Sequence, residues 1–188
     1  ISYAPDSPIV LNYLRYANYL GIKPESIKVS LPTRSDEQIE KVNELLSGLD
    51  KSKPLVVISP ATTWVNKHWN RDNWKIVVDN LASSCNLVFT GGPNDNELIE
   101  YISGGKFLNL AGKTDIMELM EVFSRANLVM APDSGSAHLA WATGNPAVVT
   151  IFTCTPKEVL APFGASDKYV AMGGCGLPCQ PCFKRKCK

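Results

Sequence analysis

Two stretches of this chain carry residue types suited to holding phosphate. The first is Pro132-Asp133-Ser134-Gly135-Ser136-Ala137-His138. It follows a strand-like apolar run, Asn127-Leu128-Val129-Met130-Ala131, and opens a helix-like run, Ala137-His138-Leu139-Ala140-Trp141-Ala142. A strand that breaks into small residues before a helix presents free backbone N–H groups and the positive end of the helix dipole, a place where α/β proteins hold phosphate. Gly135 permits close backbone approach and Ser134 adds a hydroxyl donor. A carboxylate beside a diphosphate would repel it, so Asp133 is expected to cap the helix or to accept a sugar or ribose hydroxyl. The plainer alternative is an N-cap in a loop. His138, one of two histidines, suits a general base or a phosphate donor on the first helical turn; the alternative is a structural role.

The second stretch, Ser59-Pro60-Ala61-Thr62-Thr63-Trp64-Val65-Asn66-Lys67-His68-Trp69, follows the apolar run Leu55-Val56-Val57-Ile58. Thr62 and Thr63 offer hydroxyls. Lys67 offers a cation, and a charge-assisted bond to phosphate is roughly twice as strong as a neutral one; the alternative is a surface lysine above a buried Trp69. A third loop, Thr90-Gly91-Gly92-Pro93-Asn94-Asp95, either lets backbone approach a nucleoside or makes a tight turn. Cys175, Cys179, Cys182 and Cys187 follow a C-x3-C-x2-C-x4-C pattern, with Cys85 and Cys154 isolated. That pattern admits zinc or an iron–sulfur cluster. The tight spacing and the lack of an accompanying histidine favour a reduced or partner-facing tail, so no metal is expected, and disulfides are not expected in a cytoplasmic chain.

The elements that must position these loops follow from hydrophobic periodicity. Leu55–Ile58, Leu87–Phe89, Phe107–Leu110, Asn127–Ala131 and Pro146–Phe152 read as short strands. Between them lie helical patterns at Asn73–Leu81, Asn94–Ile102, Asp115–Ser124 (with Asp115 as N-cap) and after Asp133. Strand and helix in alternation make an α/β fold, a Rossmann-like doubly wound parallel sheet covered on both faces. Such a sheet brings the three loops to one rim, where ligands bind. The first fifty residues differ. They predict a helix over Ile9–Leu20 with Leu11, Leu14 and Tyr19 inward, an edge strand over Ile27–Pro32, and a helix over Ser35–Leu46 with Ser35 as cap. This is too little apolar material for a separate core. The expected division is residues 1–50 as the end of a preceding domain with its linker, 51–172 as the sheet domain, and 173–188 as a Cys-rich basic tail.

At 188 residues, 45% apolar and 20% charged, the chain has the composition of a soluble globular domain. A net charge of +1 excludes a dedicated nucleic-acid binder. No run approaches the roughly 18 apolar residues of a membrane span, and the start has no signal-peptide pattern. It also has no Met, so residue 1 is expected to lie inside a longer protein. Lys184, Arg185, Lys186 and Lys188 crowd the end of the chain. They form either a solvated tail or a surface for anionic lipid or an anionic acceptor. No G-x-G-x-x-G follows any strand, which argues against a nicotinamide-dependent oxidoreductase; a non-catalytic nucleotide-sugar binding module is the other rival.

Residues 54–188 resemble the ADP-heptose:lipopolysaccharide heptosyltransferase family. The likeness rests on Ala61-Thr62-Thr63 with Lys67-His68-Trp69, Gly91-Gly92-Pro93, Asp133-Ser134-Gly135-Ser136-Ala137-His138, and Cys179-Gln180-Pro181-Cys182-Phe183-Lys184-Arg185-Lys186-Cys187. It implies the carboxyl-terminal, donor-binding half of a GT-B glycosyltransferase, with residues 1–50 similar to the end of the acceptor domain and linker. It further implies that Thr62, Thr63 and Lys67 contact the donor diphosphate and sugar, and that Ser134 and Gly135 bind diphosphate. Asp133 would meet heptose hydroxyls and His138 would hold the donor. Thr114 joins the donor contacts, and an acidic contact falls near Asn94, which is not acidic. Lys67 and His138 are the catalytic candidates here, and the base is expected in an amino-terminal domain that this chain lacks. The implied reaction is inverting, without metal or cofactor, with ADP-heptose as donor substrate and the anionic lipopolysaccharide core as acceptor. The implied location is the cytoplasm, with peripheral contact at the inner membrane. On this reading Lys67→Ala lowers turnover more than it disturbs folding.

Overall fold

The computed structural model describes residues 7–23, 30–162, 164, 167–173 and 176–187. Its centre is a parallel sheet of six strands, β1 (Leu55–Ile58), β2 (Asn86–Phe89), β3 (Leu108–Asn109), β4 (Leu128–Pro132), β5 (Ala147–Phe152) and β6 (Tyr169–Gly173). Their spatial order is β3-β2-β1-β4-β5-β6, and each neighbouring pair is parallel. The helices are α1 (Ile9–Tyr19), α2 (Asp36–Leu46), α3 (Arg71–Leu81), α4 (Asn96–Ser103), α5 (Ile116–Arg125), α6 (Gly135–Thr143) and α7 (Lys157–Leu160).

All four residues of β1 are buried, as a central strand covered on both faces requires. Alternation divides them. Leu55 and Val57 enter a core with Val88, Val122, Phe123, Val129 and Val148, residues of β2, α5, β4 and β5. Val56 and Ile58 enter the opposite core with Trp74, Val78, Phe89 and Ile99, drawn largely from α3 and α4. Local chemistry sets the helix ends. The Asp115 carboxylate accepts from the Glu118 amide at 2.8 Å, and the Glu118 carboxylate accepts from the Asp115 amide at 2.8 Å, closing a capping box. Gly144 ends α6 in the left-handed region at φ +73°, a conformation glycine adopts without steric cost.

The structure adds β6 and α7 to the expected elements. Gly173, at the end of β6, has no Cβ because one would lie 2.6 Å from the Phe152 carbonyl oxygen. In α1 the expected inward set is only partly realised: Leu11 and Leu14 are half-buried, Tyr19 is 74% exposed, and the buried residue is Asn12. The alternating run from residue 27 falls mostly outside the described residues, and Ser30, Leu31 and Pro32 carry no strand.

The sequence boundary at residue 50 separates α2 from the sheet, yet α2 packs on α5. Val42 is fully buried in the core that holds Val57 and Phe123. Around it, Lys41 pairs with the buried Glu118 at 2.8 Å and Arg34 with Glu121 at 3.0 Å. Arg125 bonds both Glu121, at 2.8 Å, and Asn43, at 2.6 Å.

Two outcomes follow for stability. Val42→Ala deletes two buried carbons and leaves a cavity, so it should cost about 2 kcal/mol in urea unfolding; an unchanged midpoint would place α2 outside the cooperative unit. Burial pushes the Glu121 carboxyl up, but hydrogen bonds from Arg125 and Arg34 outweigh it and hold the group below its ordinary value of 4.5. Its contribution is complete above that value and fades as pH falls below it. Glu121→Gln should therefore flatten the acid limb of a stability-versus-pH curve.

Candidate functional site

In a sheet of this order, β1 and β4 flank the point where strand order reverses, and the crevice beyond their carboxyl ends receives ligands. A cleft of about 1100 Å³ lies there. Thr62, Thr63 and Lys67 reach it from the loop after β1, Thr114 from the turn before α5, and Asp133, Ser134, Gly135 and His138 from the end of β4 and the start of α6. Asn94 does not line it. That residue is exposed in a 3-10 turn, and its neighbour Asp95 takes the place on the cleft wall. The Asp95 carboxylate accepts from the Gly92 amide at 2.7 Å. A Cβ on Gly91 would lie 2.8 Å from the same oxygen, so this glycine serves the fold-back of an acidic side chain.

Asp133 is buried at 4% exposure and does not cap α6. Its Oδ2 lies 2.6 Å from the Lys67 ammonium and accepts the Thr155 hydroxyl at 2.7 Å, while Oδ1 lies 3.9 Å from His138 Nε2. Desolvating a lone carboxylate costs several kcal/mol, which is why a cation and a hydroxyl converge on it. Lys67 is thus already engaged, although an ammonium carries three protons and only one points at Asp133 Oδ2. The capping position of α6 falls instead to Ser134, whose side chain makes no capping bond. Its Oγ is shielded from solvent yet has no hydrogen-bond partner. The first-turn amides of a helix lack intrahelical acceptors, so the end of the dipole is open to an anion, and the Ser134 hydroxyl beside it is an unused donor. Nothing lies within 4 Å of a Cβ built on Gly135.

His138 is about half exposed. Partial burial holds its pKa below the ordinary 6.5; the Asp133 carboxylate opposes that shift and the Lys67 ammonium reinforces it. The imidazole is therefore neutral at pH 7, with one nitrogen to donate and one to accept. Sequence reasoning passed over His68, whose Nε2 lies 2.7 Å from the Thr62 carbonyl oxygen and steadies the loop. Thr155 was also missed, and its only sequence signal is a hydroxyl residue just past β5. Of the cysteines, Cys154 is buried, and burial with the nearby Cys182 thiol pushes its pKa up. Cys175 lies outside the described residues.

Residues 3–188 match the family described as Glycosyltransferase family 9 (heptosyltransferase). The chain belongs to that family. It is 30% identical over 176 residues to the lipopolysaccharide core heptosyltransferase OpsX of Haemophilus influenzae, covering 89% of this chain and 49% of that protein. It is 25% identical to lipopolysaccharide heptosyltransferase 1 of Pseudomonas aeruginosa, over 77% of this chain and 40% of the relative. The chain thus spans about half the length of the curated relatives it matches. Among solved structures, a glycosyltransferase family 9 protein of Veillonella parvula superposes with a TM-score of 0.79 at 21% identity, over 89% of this chain and 49% of the other. The Escherichia coli heptosyltransferase WaaC with ADP does so at 0.61 and 22%, over 86% and 48%. These likenesses show the family 9 fold in this chain.

The buried pair revises the expectation for Lys67. Lys67→Ala strands the Asp133 carboxylate and should cost about 3 kcal/mol of stability, so lost function in that variant will not isolate a binding role. Asp133→Asn added to it should recover most of the loss. A double-mutant cycle by urea unfolding measures the coupling, expected above about 1 kcal/mol; additive effects would dissolve the pair.

Proposed function

We propose that this chain is the donor-binding half of an inverting heptosyltransferase that moves heptose from ADP-heptose to the lipopolysaccharide inner core. The observation that carries the reading is the unpartnered Ser134 hydroxyl at the start of α6, on a residue that lines the same cleft as Lys67. The diphosphate sits on the Ser134 and Gly135 amides and the Ser134 hydroxyl, with Lys67 beside it. The adenine lies toward the apolar wall of Ile116, Leu119, Leu139 and Ala142. The sugar points toward Thr62, Thr63 and the Asp133 Oδ1 oxygen, which neither Lys67 nor Thr155 occupies. His138, as a neutral imidazole, holds the donor from the rim, and Thr114 and Asp95 complete the wall.

The reaction is direct displacement at the anomeric carbon. A base on the other half deprotonates the acceptor hydroxyl as the bond to ADP breaks. Negative charge grows on the departing diphosphate, and the Lys67 ammonium and α6 dipole are already aimed where it develops. The scheme uses no cofactor and no metal. Lys184, Arg185 and Lys186 suit the anionic core and a peripheral contact at the cytoplasmic face of the inner membrane; no helix among the described residues is long and apolar enough to cross a membrane. Support comes from the family match, and from two solved E. coli WaaC relatives described with ADP and with ADP-2-deoxy-2-fluoro heptose.

Calorimetry with ADP, ADP-heptose, UDP-sugars and NAD tests the reading. ADP and ADP-heptose should bind more tightly than the UDP-sugars and NAD; preference for UDP or NAD would overturn it. Gly135→Ala separates site from fold. Its helical position and open surroundings should leave stability equal or slightly higher, while the added methyl weakens ADP binding about tenfold, or about 1.4 kcal/mol. The chain alone should bind without transferring, since the base and the acceptor wall belong to the other half. Robust transfer by this chain would refute that division.

A further inference from the structure

The loop that carries Lys67 is held by the end of the chain. The Asn66 amide donates to the Arg185 carbonyl at 3.3 Å, and the Asn66 side chain donates to the Lys184 carbonyl at 3.0 Å. From the other side, the Thr153 hydroxyl donates to the Asn66 carbonyl at 2.5 Å. The tail is itself tied to the residues after β5: the Cys182 and Phe183 amides both donate to the Cys154 carbonyl, at 3.0 and 3.2 Å, and the Gln180 side chain donates to the Thr153 carbonyl. The Trp64 ring carries two cations, with the Lys67 ammonium 4.9 Å and the Arg185 guanidinium 5.5 Å from its centre.

These contacts answer a mechanical need. From Ser59 to Trp69 the loop has one short 3-10 turn, Val65–Lys67, and Val65 is 64% exposed. Apolar burial cannot hold that turn over the cleft. The ion pair with Asp133 fixes the tip of the Lys67 side chain, but the backbone beside it is fixed through Asn66. We propose that residues 180–185 form a strap that sets the position of Lys67, with Arg185 and Asn66 as positioning residues. The Arg185 side chain acts through its cation–π contact with Trp64, and the Asn66 side chain through its bond to the Lys184 carbonyl. Without the strap, the loop occupies its binding-competent position only part of the time, and apparent affinity falls by that fraction.

The ligand arm of the test rests on the donor-binding reading; the exchange arm does not. Arg185→Ala combined with Asn66→Ala should speed amide exchange across residues 64–68 at least about tenfold while leaving β1 and β4 amides and the melting temperature unchanged. Calorimetry should show the Kd for ADP raised about three- to tenfold. Trp64→Phe should keep both properties and Trp64→Ala should lose both. In a Lys67→Ala/Asp133→Asn background the strap variant should weaken ADP no further, because nothing remains to be positioned. Unchanged exchange at 64–68, or equal weakening with and without Lys67, would overturn the proposal. If the unmodified chain binds no ADP, the donor reading fails, and exchange alone decides the strap.

Discussion

Burying the carboxylate of Asp133 at the point where strand order reverses imposes a constraint on every loop around it. An ionised carboxylate at 4% exposure must find a counter-charge and further donors, or its desolvation would cost several kcal/mol. The counter-charge comes from the loop after β1 and the second donor from the segment after β5, and both meet at one oxygen. Three separate stretches of chain are thereby locked at the carboxyl edge of the sheet, where the apolar cores on either face no longer reach. The rim keeps its shape through charge and hydrogen bonding; the sheet beneath keeps its shape through packing.

That constraint also resolves the conflict between a carboxylate and an anion site. Asp133 alone would repel phosphate. Paired with Lys67 it is close to neutral, and what an incoming anion meets is the start of α6, the Ser134 hydroxyl and the remaining ammonium protons. The pairing removes conformational freedom from Lys67 before any ligand arrives, and a preorganised donor loses less on binding than a free one.

Hydrophobic runs made β1 to β5 and their helices legible because buried parallel strands are continuous and α3, α4 and α5 between them amphipathic. β6 escaped although Tyr169–Met172 is a short apolar run, because no helical pattern follows it to mark a strand-helix unit; in the structure it is the edge strand, with Val170 and Met172 exposed. The Ser35 cap announced α2 without naming its partner; the packing against α5 emerges only when Val42, Lys41 and Arg34 find it. The site was legible in residue type more than in role. Asp133 lines the cleft, but its cation lies far away in sequence, so the local pattern offered only a cap or a sugar hydroxyl as its partner. In the 3-10 turn at Pro93–Asp95, successive residues point about a third of a turn apart. A slip of one position therefore exchanges solvent for cleft, which is the difference between Asn94 and Asp95.

Under the proposed reading, the two ends of the cleft discriminate by different physics. Backbone amides, a hydroxyl and an ammonium at the α6 start form a polar site, which rejects a ligand lacking its phosphates because the buried donors would then go unpaired. The wall of Ile116, Leu119, Leu139 and Ala142 recognises a base through buried apolar area, and differences of a few atoms there change affinity only about 10- to 200-fold. Selection for a diphosphate should therefore be steep and selection among bases shallow on this half alone. Strict choice of the sugar must then come from groups that contact it directly, Thr62, Thr63 and the free oxygen of Asp133, together with whatever the facing half contributes.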